Sequence, residues 1–195
     1  MIQPAMQPDL FSPAVKPDMP EGFRYRPDLI SAPEEAALLA WFETLPFRPF
    51  EFQGYLGHRE TVSFGSRYDY GERSLKPAEA MPAQLDALRA AVAAFAGVEP
   101  ERLTQALVTR YDPGVTIGWH RDRPDYDLVA GVSLLSPAVF RLRRREGAAW
   151  LRRSLTVEPR SAYVMHGPAR YEWEHSLRPV EQRRFSVTFR TLRQR

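Results

Sequence analysis

The chain has 195 residues, enough for one domain with a real core, and a formal charge of +3 drawn almost wholly from arginine, since lysine occurs only at Lys16 and Lys76. It has no cysteine, which excludes disulfides, thiolate metal sites and cysteine nucleophiles and leaves His, Asp and Glu as the strong side-chain metal ligands. No apolar run approaches the roughly 20 residues needed to cross a bilayer, so a cytoplasmic protein without a membrane partner is expected.

Residues 1–20 carry Pro4, Pro8, Pro13, Pro17 and Pro20 among few apolar residues, the composition of a flexible N-terminal arm preceding a domain over 21–195. Ser31, Pro33 and Glu34 read as a capping box opening a helix over 34–45. A second helix begins near Pro82, with Leu85, Leu88, Val92 and Phe95 on one stripe and Gly97 as its left-handed cap.

From Gln105 the period changes to two. Strands are predicted near 105–111, 115–120, 128–135, 138–144, 150–157, 161–166, 171–177 and 184–192. No helical pattern separates them, so the expected class is mainly β with N-terminal helices (α+β), an antiparallel sandwich or jelly roll backed by those helices.

Trp119-His120-Arg121-Asp122 sets an imidazole and a carboxylate two residues apart, on the same side of an extended chain. His175, in phase with Tyr171 and Trp173, is the best-placed third ligand. Two His and one carboxylate on one face of an octahedron leave positions for a chelating co-substrate and dioxygen, as iron(II) oxygenases require. In the last strand Arg184, Ser186, Thr188 and Arg190 share one face and Phe185, Val187 and Phe189 the other. Such a polar face either surrounds an anion in a pocket or is the solvated side of an edge strand.

Thr109-Arg110-Tyr111-Asp112-Pro113-Gly114, Trp119-His120-Arg121-Asp122, Gly131-Val132-Ser133-Leu134, Tyr171-Glu172-Trp173-Glu174-His175 and Arg184 to Arg190, taken together, resemble the AlkB family of iron(II)- and 2-oxoglutarate-dependent dioxygenases over about 61–190. The resemblance implies a double-stranded β-helix core, iron(II) on His120, Asp122 and His175, and 2-oxoglutarate on Tyr111, Arg184 and Arg190, with dioxygen as the other co-substrate. Arg184 would grip the distal carboxylate beside the Tyr111 hydroxyl, and Arg190 would lie near the chelating carboxylate. Thr109 stands where the family commonly has Asn.

The implied reaction is oxidative demethylation of N-alkylated bases in single-stranded or flipped-out DNA or RNA, by a monomer. Arg67-Tyr68-Asp69-Tyr70 resembles the family's nucleotide-recognition lid, with Tyr68 or Tyr70 against the base; as plain strand residues they would do neither. Arg141, Arg143, Arg144, Arg145, Arg152 and Arg153 gather at the turn Glu146-Gly147, offering phosphate contacts or simply a solvated basic hairpin. Pro124 occupies a position that is acidic in many repair members, so Asp125 is its candidate replacement, and His166 stands where some members contact the base. An oxygenase of protein side chains or small molecules, and a non-catalytic jelly-roll binding module, are the alternatives. A zinc hydrolase is disfavoured by the lack of a His-Glu-x-x-His helix.

Overall fold

A computed structural model describes residues 18–52, 55–69, 72 and 74–193, with the side chains of 51–57, 67–69 and 75 left out. Most of the predicted arm, residues 1–17, lies outside the described residues, as does Tyr70. In chain order the elements are β1 (Phe23–Arg26), α1 (Ala32–Phe42), β2 (Arg48–Phe52), β3 (Tyr55–Phe64), β4 (Ser66–Asp69), β5 (Ser74–Pro77), α2 (Asp86–Ala96), β6 (Leu103–Tyr111), β7 (Ile117–His120), β8 (Tyr126–Leu134), β9 (Ala138–Glu146), β10 (Ala149–Val157), β11 (Ala162–Met165), α3 (Gly167–Tyr171), β12 (Glu174–Leu177) and β13 (Arg184–Leu192).

The strands form two antiparallel sheets, a larger one in the order β1-β11-β8-β13-β6-β3-β2 and a smaller one in the order β10-β9-β12-β7. A separate two-stranded ribbon pairs β4 with β5. The larger sheet packs α1 and α2 on one face through Phe42, Leu88, Val92, Val108, Val132, Phe185, Val187 and Phe189. Its other face meets the smaller sheet through Phe23, Val129, Phe140, Leu142, Met165 and Trp173. This is the jelly-roll architecture expected from strands that alternate without intervening helices.

The Ser31 side chain accepts from Glu34 N while Glu34 Oε2 accepts from Ser31 N at 2.7 Å, so the capping box forms as read. The helix stops at Phe42 rather than Leu45. There the Thr44 hydroxyl takes the Trp41 carbonyl at 2.7 Å, and Pro46 disfavours a helical Leu45. Gly97 closes α2 at φ 75°.

All eight predicted strands form, but the one placed over 171–177 is shorter. Gly167 at φ 51° and Pro168 in the first turn start α3 instead, so Tyr171 ends a helix and only Glu174–Leu177 is strand. Five further strands precede Gln105. They escape the period-two reading because β1, β4 and β5 have only four residues each and β2 is an edge strand containing Pro49.

Candidate active site

Strand β13 lies between β6 and β8, so everything on its inner face has a neighbour on each side. Ser186 pairs with Thr109 across one ladder and Ser133 across the other. Between the sheets is a cavity of about 70 Å³ whose lining includes Thr109, Tyr111, Tyr163, Arg184, Ser186, Thr188 and Arg190. The face predicted as polar therefore looks into an interior chamber, and the edge-strand alternative falls.

Arg184 is only 3% exposed. Its guanidinium donates to Ser133 Oγ at 2.9 Å and stacks over the Tyr111 ring, while its Nε has no hydrogen-bond partner. Burial lowers its pKa, opposed only by the phenols of Tyr111 and Tyr163. Among the described residues no carboxylate pairs with it, which is costly for a buried cation unless an anion enters from outside. The Tyr111 hydroxyl shares a hydrogen bond with Ser186 Oγ at 3.1 Å beside it.

Arg190, at the far end of the same face, differs. It forks onto Asp122 Oδ1 at 2.8 and 3.2 Å and donates to Gln105 Oε1 at 2.9 Å. Of the two arginines expected to meet 2-oxoglutarate, Arg190 already has an internal anion, and Arg184 has none among the described residues.

Asp122 lies just beyond β7, and His120 ends that strand. Antiparallel register sets His175 of β12 directly opposite His120, their ring centroids 4.2 Å apart. His175 Nε2 is 3.6 Å from Asp122 Oδ2. The three predicted ligands thus converge where the chamber opens. Burial, followed by the neighbouring His120, pushes the His175 pKa down to about 3. Burial also lowers that of His120, with Arg59 and Arg190 adding repulsion against the pull of Asp122. Burial opposes ionisation of Asp122, but Arg190, His175 and His120 overcome it and hold the carboxyl well below its usual range.

The His120 Nδ1–H donates to the Gly118 carbonyl at 2.9 Å, leaving Nε2 for other use. Two neutral imidazoles and an ionised carboxylate suit a divalent first-row cation. Among the described residues no three His, Cys, Asp or Glu side chains are so placed that they could hold a metal ion as they stand; these three lie near one another, with Asp122 drawn toward Arg190.

Outside the triad is a cleft of about 1070 Å³, bordered by β2, β3, residues 77–79 and the segment 116–123. His120, Asp122, Arg59 and Arg190 line both spaces. The residues expected to meet substrate fare less uniformly. Tyr68 lies on β4, beside the Pro77-Ala78-Glu79 border, but its side chain is outside the described set, as is all of Tyr70. Asp125 does not line the cleft; it pairs with Arg123 at 3.7 Å, and its Oδ2 is buried. His166 is the exposed N-cap of α3 and lines neither space.

The arginines around Glu146-Gly147 make contacts within the chain. Arg143 stacks on Trp119 and Trp150 and pairs with Glu174 at 2.6 Å, Arg144 pairs with Glu172 at 2.7 Å, and Arg153 pairs with Asp18.

Two contributors were not foreseen. Gln105 is in phase with Thr109 and Tyr111 along β6, a signal the alternation carried. Arg170, 3% exposed, donates to the carbonyls of Arg123 and Tyr126 and so ties down the segment bearing Asp122. A lone arginine in a five-residue helix gives no such signal.

The sequence profile of the 2OG-Fe(II) oxygenase superfamily matches residues 22–190. The chain is 31% identical over 186 residues to the mitochondrial alpha-ketoglutarate-dependent dioxygenase alkB homolog 7 of Bos taurus, covering 86% of this chain and 77% of that one. It is 24% identical over 173 residues to the alkylated DNA repair protein ALKBH8 homolog of Arabidopsis thaliana, covering 76% of this chain but 48% of that protein.

Among solved structures, OsALKBH1 superposes with a TM-score of 0.64 at 16% identity, over 89% of this chain and 98% of the other. A prolyl-4-hydroxylase from Pseudomonas putida gives 0.58 at 17%, over 88% and 93%. These two likenesses establish a shared fold. No helix among the described residues is long and apolar enough to cross a membrane. The chain belongs to the 2OG-Fe(II) oxygenase superfamily, is related to its AlkB homologues, and is a dioxygenase that uses iron(II), 2-oxoglutarate and O2.

Proposed function

We propose that His120, Asp122 and His175 hold the iron, that Arg184, Tyr111 and Ser186 receive the distal carboxylate of 2-oxoglutarate, and that the outer cleft presents an N-alkylated base of DNA or RNA for oxidative demethylation. The observation that carries the co-substrate assignment is Arg184, a buried guanidinium facing a small chamber with no carboxylate among the described residues against it. A dicarboxylate supplies the missing charge, and its far end then lies toward the triad, which borders the same chamber. Thr109 borders the chamber as well and takes the place of the family's Asn.

Iron with 2-oxoglutarate and O2 supplies oxidation of a C–H bond, with succinate and carbon dioxide as co-products. The protein's own part is orientation and electrostatics. Arg184 and Ser133 fix the depth of the co-substrate, Arg190 keeps the Asp122 carboxylate ionised and aimed, and Gly118 fixes the His120 tautomer. Phe140 and Leu177 from the facing sheet help keep the chamber narrow and dry.

The nucleic-acid reading is supported by the volume of the cleft, by the arginines on its walls and by the repair-named plant relative. The direct test is formaldehyde released from methylated oligonucleotides in step with succinate, and lost in His120→Ala. Succinate without formaldehyde from any nucleic acid would overturn it. A second reading, oxidation of a protein side chain or small molecule, is favoured by Asp125 lying off the cleft and by the hairpin arginines being paired within the chain.

A further inference from the structure

We infer that Gln105 is a positioning residue for the metal carboxylate: through Arg190 it joins Asp122 to the base of the β4–β5 ribbon, so that the seating of the ribbon on β6 and the hold of Asp122 on a metal strengthen or weaken together. This rests on Asp122 being a ligand, and it adds to that reading a residue and an element outside the triad.

The register of β13 on β6 sets Arg190 directly opposite Gln105. The guanidinium is gripped at both ends. Its Nε and Nη2 donate to Asp122 Oδ1 at 3.2 and 2.8 Å, its Nη1 donates to Gln105 Oε1 at 2.9 Å, and the Tyr126 ring lies against its face. With Oδ1 occupied in this way, the other carboxylate oxygen, Oδ2, faces His175 Nε2 at 3.6 Å. Where Arg190 sits therefore decides how the carboxylate is turned.

Gln105 is only 4% exposed, and its two partners fix the orientation of its amide. A guanidinium can only donate, so Oε1 meets Arg190, which leaves Nε2 to donate to the Ser66 carbonyl at 3.1 Å. Among unbranched side chains of this length, glutamine alone is neutral and offers an acceptor and a donor side by side.

Ser66 opens β4, and Gly65 is what lets it come so near. Gly65 has φ 76°, and a β-carbon there would overlap the carbonyl oxygen of Thr104, the residue before Gln105. The Gly65 N–H donates to the Glu79 carbonyl at 2.6 Å, and the Gly65 carbonyl accepts from Ala78 N at 3.2 Å, so both ends of the ribbon are tied at this point. From ribbon to carboxylate there are then three successive hydrogen bonds among partly buried groups, Ser66 to Gln105, Gln105 to Arg190 and Arg190 to Asp122. Breaking any one leaves polar groups short of a partner, and whatever firms one end firms the other.

The test begins with Gln105→Met, which keeps length and volume but neither donates to Ser66 nor accepts well from Arg190. Cobalt(II) titrated into the metal-free protein, followed by its visible absorption, should bind this variant about ten- to a hundredfold more weakly than the wild type, with shifted bands. A side chain that only filled space would lower the urea midpoint and leave the cobalt affinity and spectrum of the folded protein unchanged; that result overturns the inference. Asp122→Asn, titrated alongside, separates the two premises. If it keeps full cobalt affinity, the ligand reading has failed and the inference falls with it. If it loses affinity and Gln105→Met does not, only the inference has failed.

A second measurement needs no substitution to begin. Zinc(II) added to the wild type should slow hydrogen exchange of the Gly65 and Ala78 amides by about threefold or more, read by NMR, and should slow neither in Gln105→Met. Exchange at the ribbon base that ignores zinc in the wild type overturns the link to the ribbon.

Discussion

The inner chamber and the outer cleft share a wall of Arg59, Leu107, Ile117, His120, Asp122 and Arg190, yet they are built differently. The chamber is about 70 Å³ and is enclosed by β6, β8 and β13 on one side and β9 and β12 on the other, so its polar groups are fixed by strand ladders. The cleft is about 1070 Å³, and much of its border is edge strand and loop. A co-substrate that never changes can be met by residues locked in a sheet interior. On the proposed assignment the substrate is met at the margin, where side chains can change without disturbing the core.

That contrast can be broken most sharply at the common wall. Asp122→Asn keeps the side-chain shape but removes the charge, and iron-dependent succinate formation should fall by about a thousandfold or more. Cobalt(II) absorption would show in parallel that the metal is no longer held; undiminished turnover at saturating iron would remove Asp122 from the ligand set.

The two arginines of β13 should then part company. Arg190→Met leaves the buried Asp122 carboxylate without its hydrogen-bonded cation, and urea unfolding of the metal-free protein should show a loss of about 3–5 kcal/mol. Arg184→Met removes a guanidinium with no anion, so the same measurement should show no loss, or a gain. Its cost appears in the 2-oxoglutarate requirement, expected to rise by about thirty- to a hundredfold for the lost charge-assisted contact. Equal destabilisation by both substitutions would mean that Arg184 is an ordinary structural cation.

Smaller effects follow at the chamber floor and the cleft rim. A methyl group at Gly131 would overlap the Tyr163 ring, so Gly131→Ala should cost about 1–3 kcal/mol and weaken 2-oxoglutarate binding as the ring moves into the chamber. Arg48→Gln, on an exposed edge of the cleft, should alter the substrate KM by about two- to threefold and leave the 2-oxoglutarate KM untouched.

How much of this was legible follows the same division. Alternation in β13 and β6 exposed the chamber face, because a strand buried on both sides must write each environment into every second residue. His120 and Asp122 stood out by their i, i+2 spacing alone, since β7 is an edge strand and Asp122 lies beyond it. Phase with Tyr171 also pointed to His175, but Tyr171 is helical, and register against β7 is what sets His175 opposite His120.

The cleft gave far less. Asp125 and His166 sit in segments whose direction depends on turns, and no periodicity reports where a turn aims its side chains. The arginine hairpin misled in a different way. Clustering in sequence suggested a free basic surface, whereas Trp119, Trp150, Glu172 and Glu174, three of them on other strands or turns, take up much of that charge.

The placement of His175 opposite His120 has a consequence for how the chain reaches its working state. Were the short strand Glu174–Leu177 to dock one position out of step, Ser176 or Glu174 would take the position opposite His120 and the imidazole would pass to the other face of the strand. On the proposed ligand set, a misaligned copy would lack one of its three donors, so ion affinity would report strand alignment.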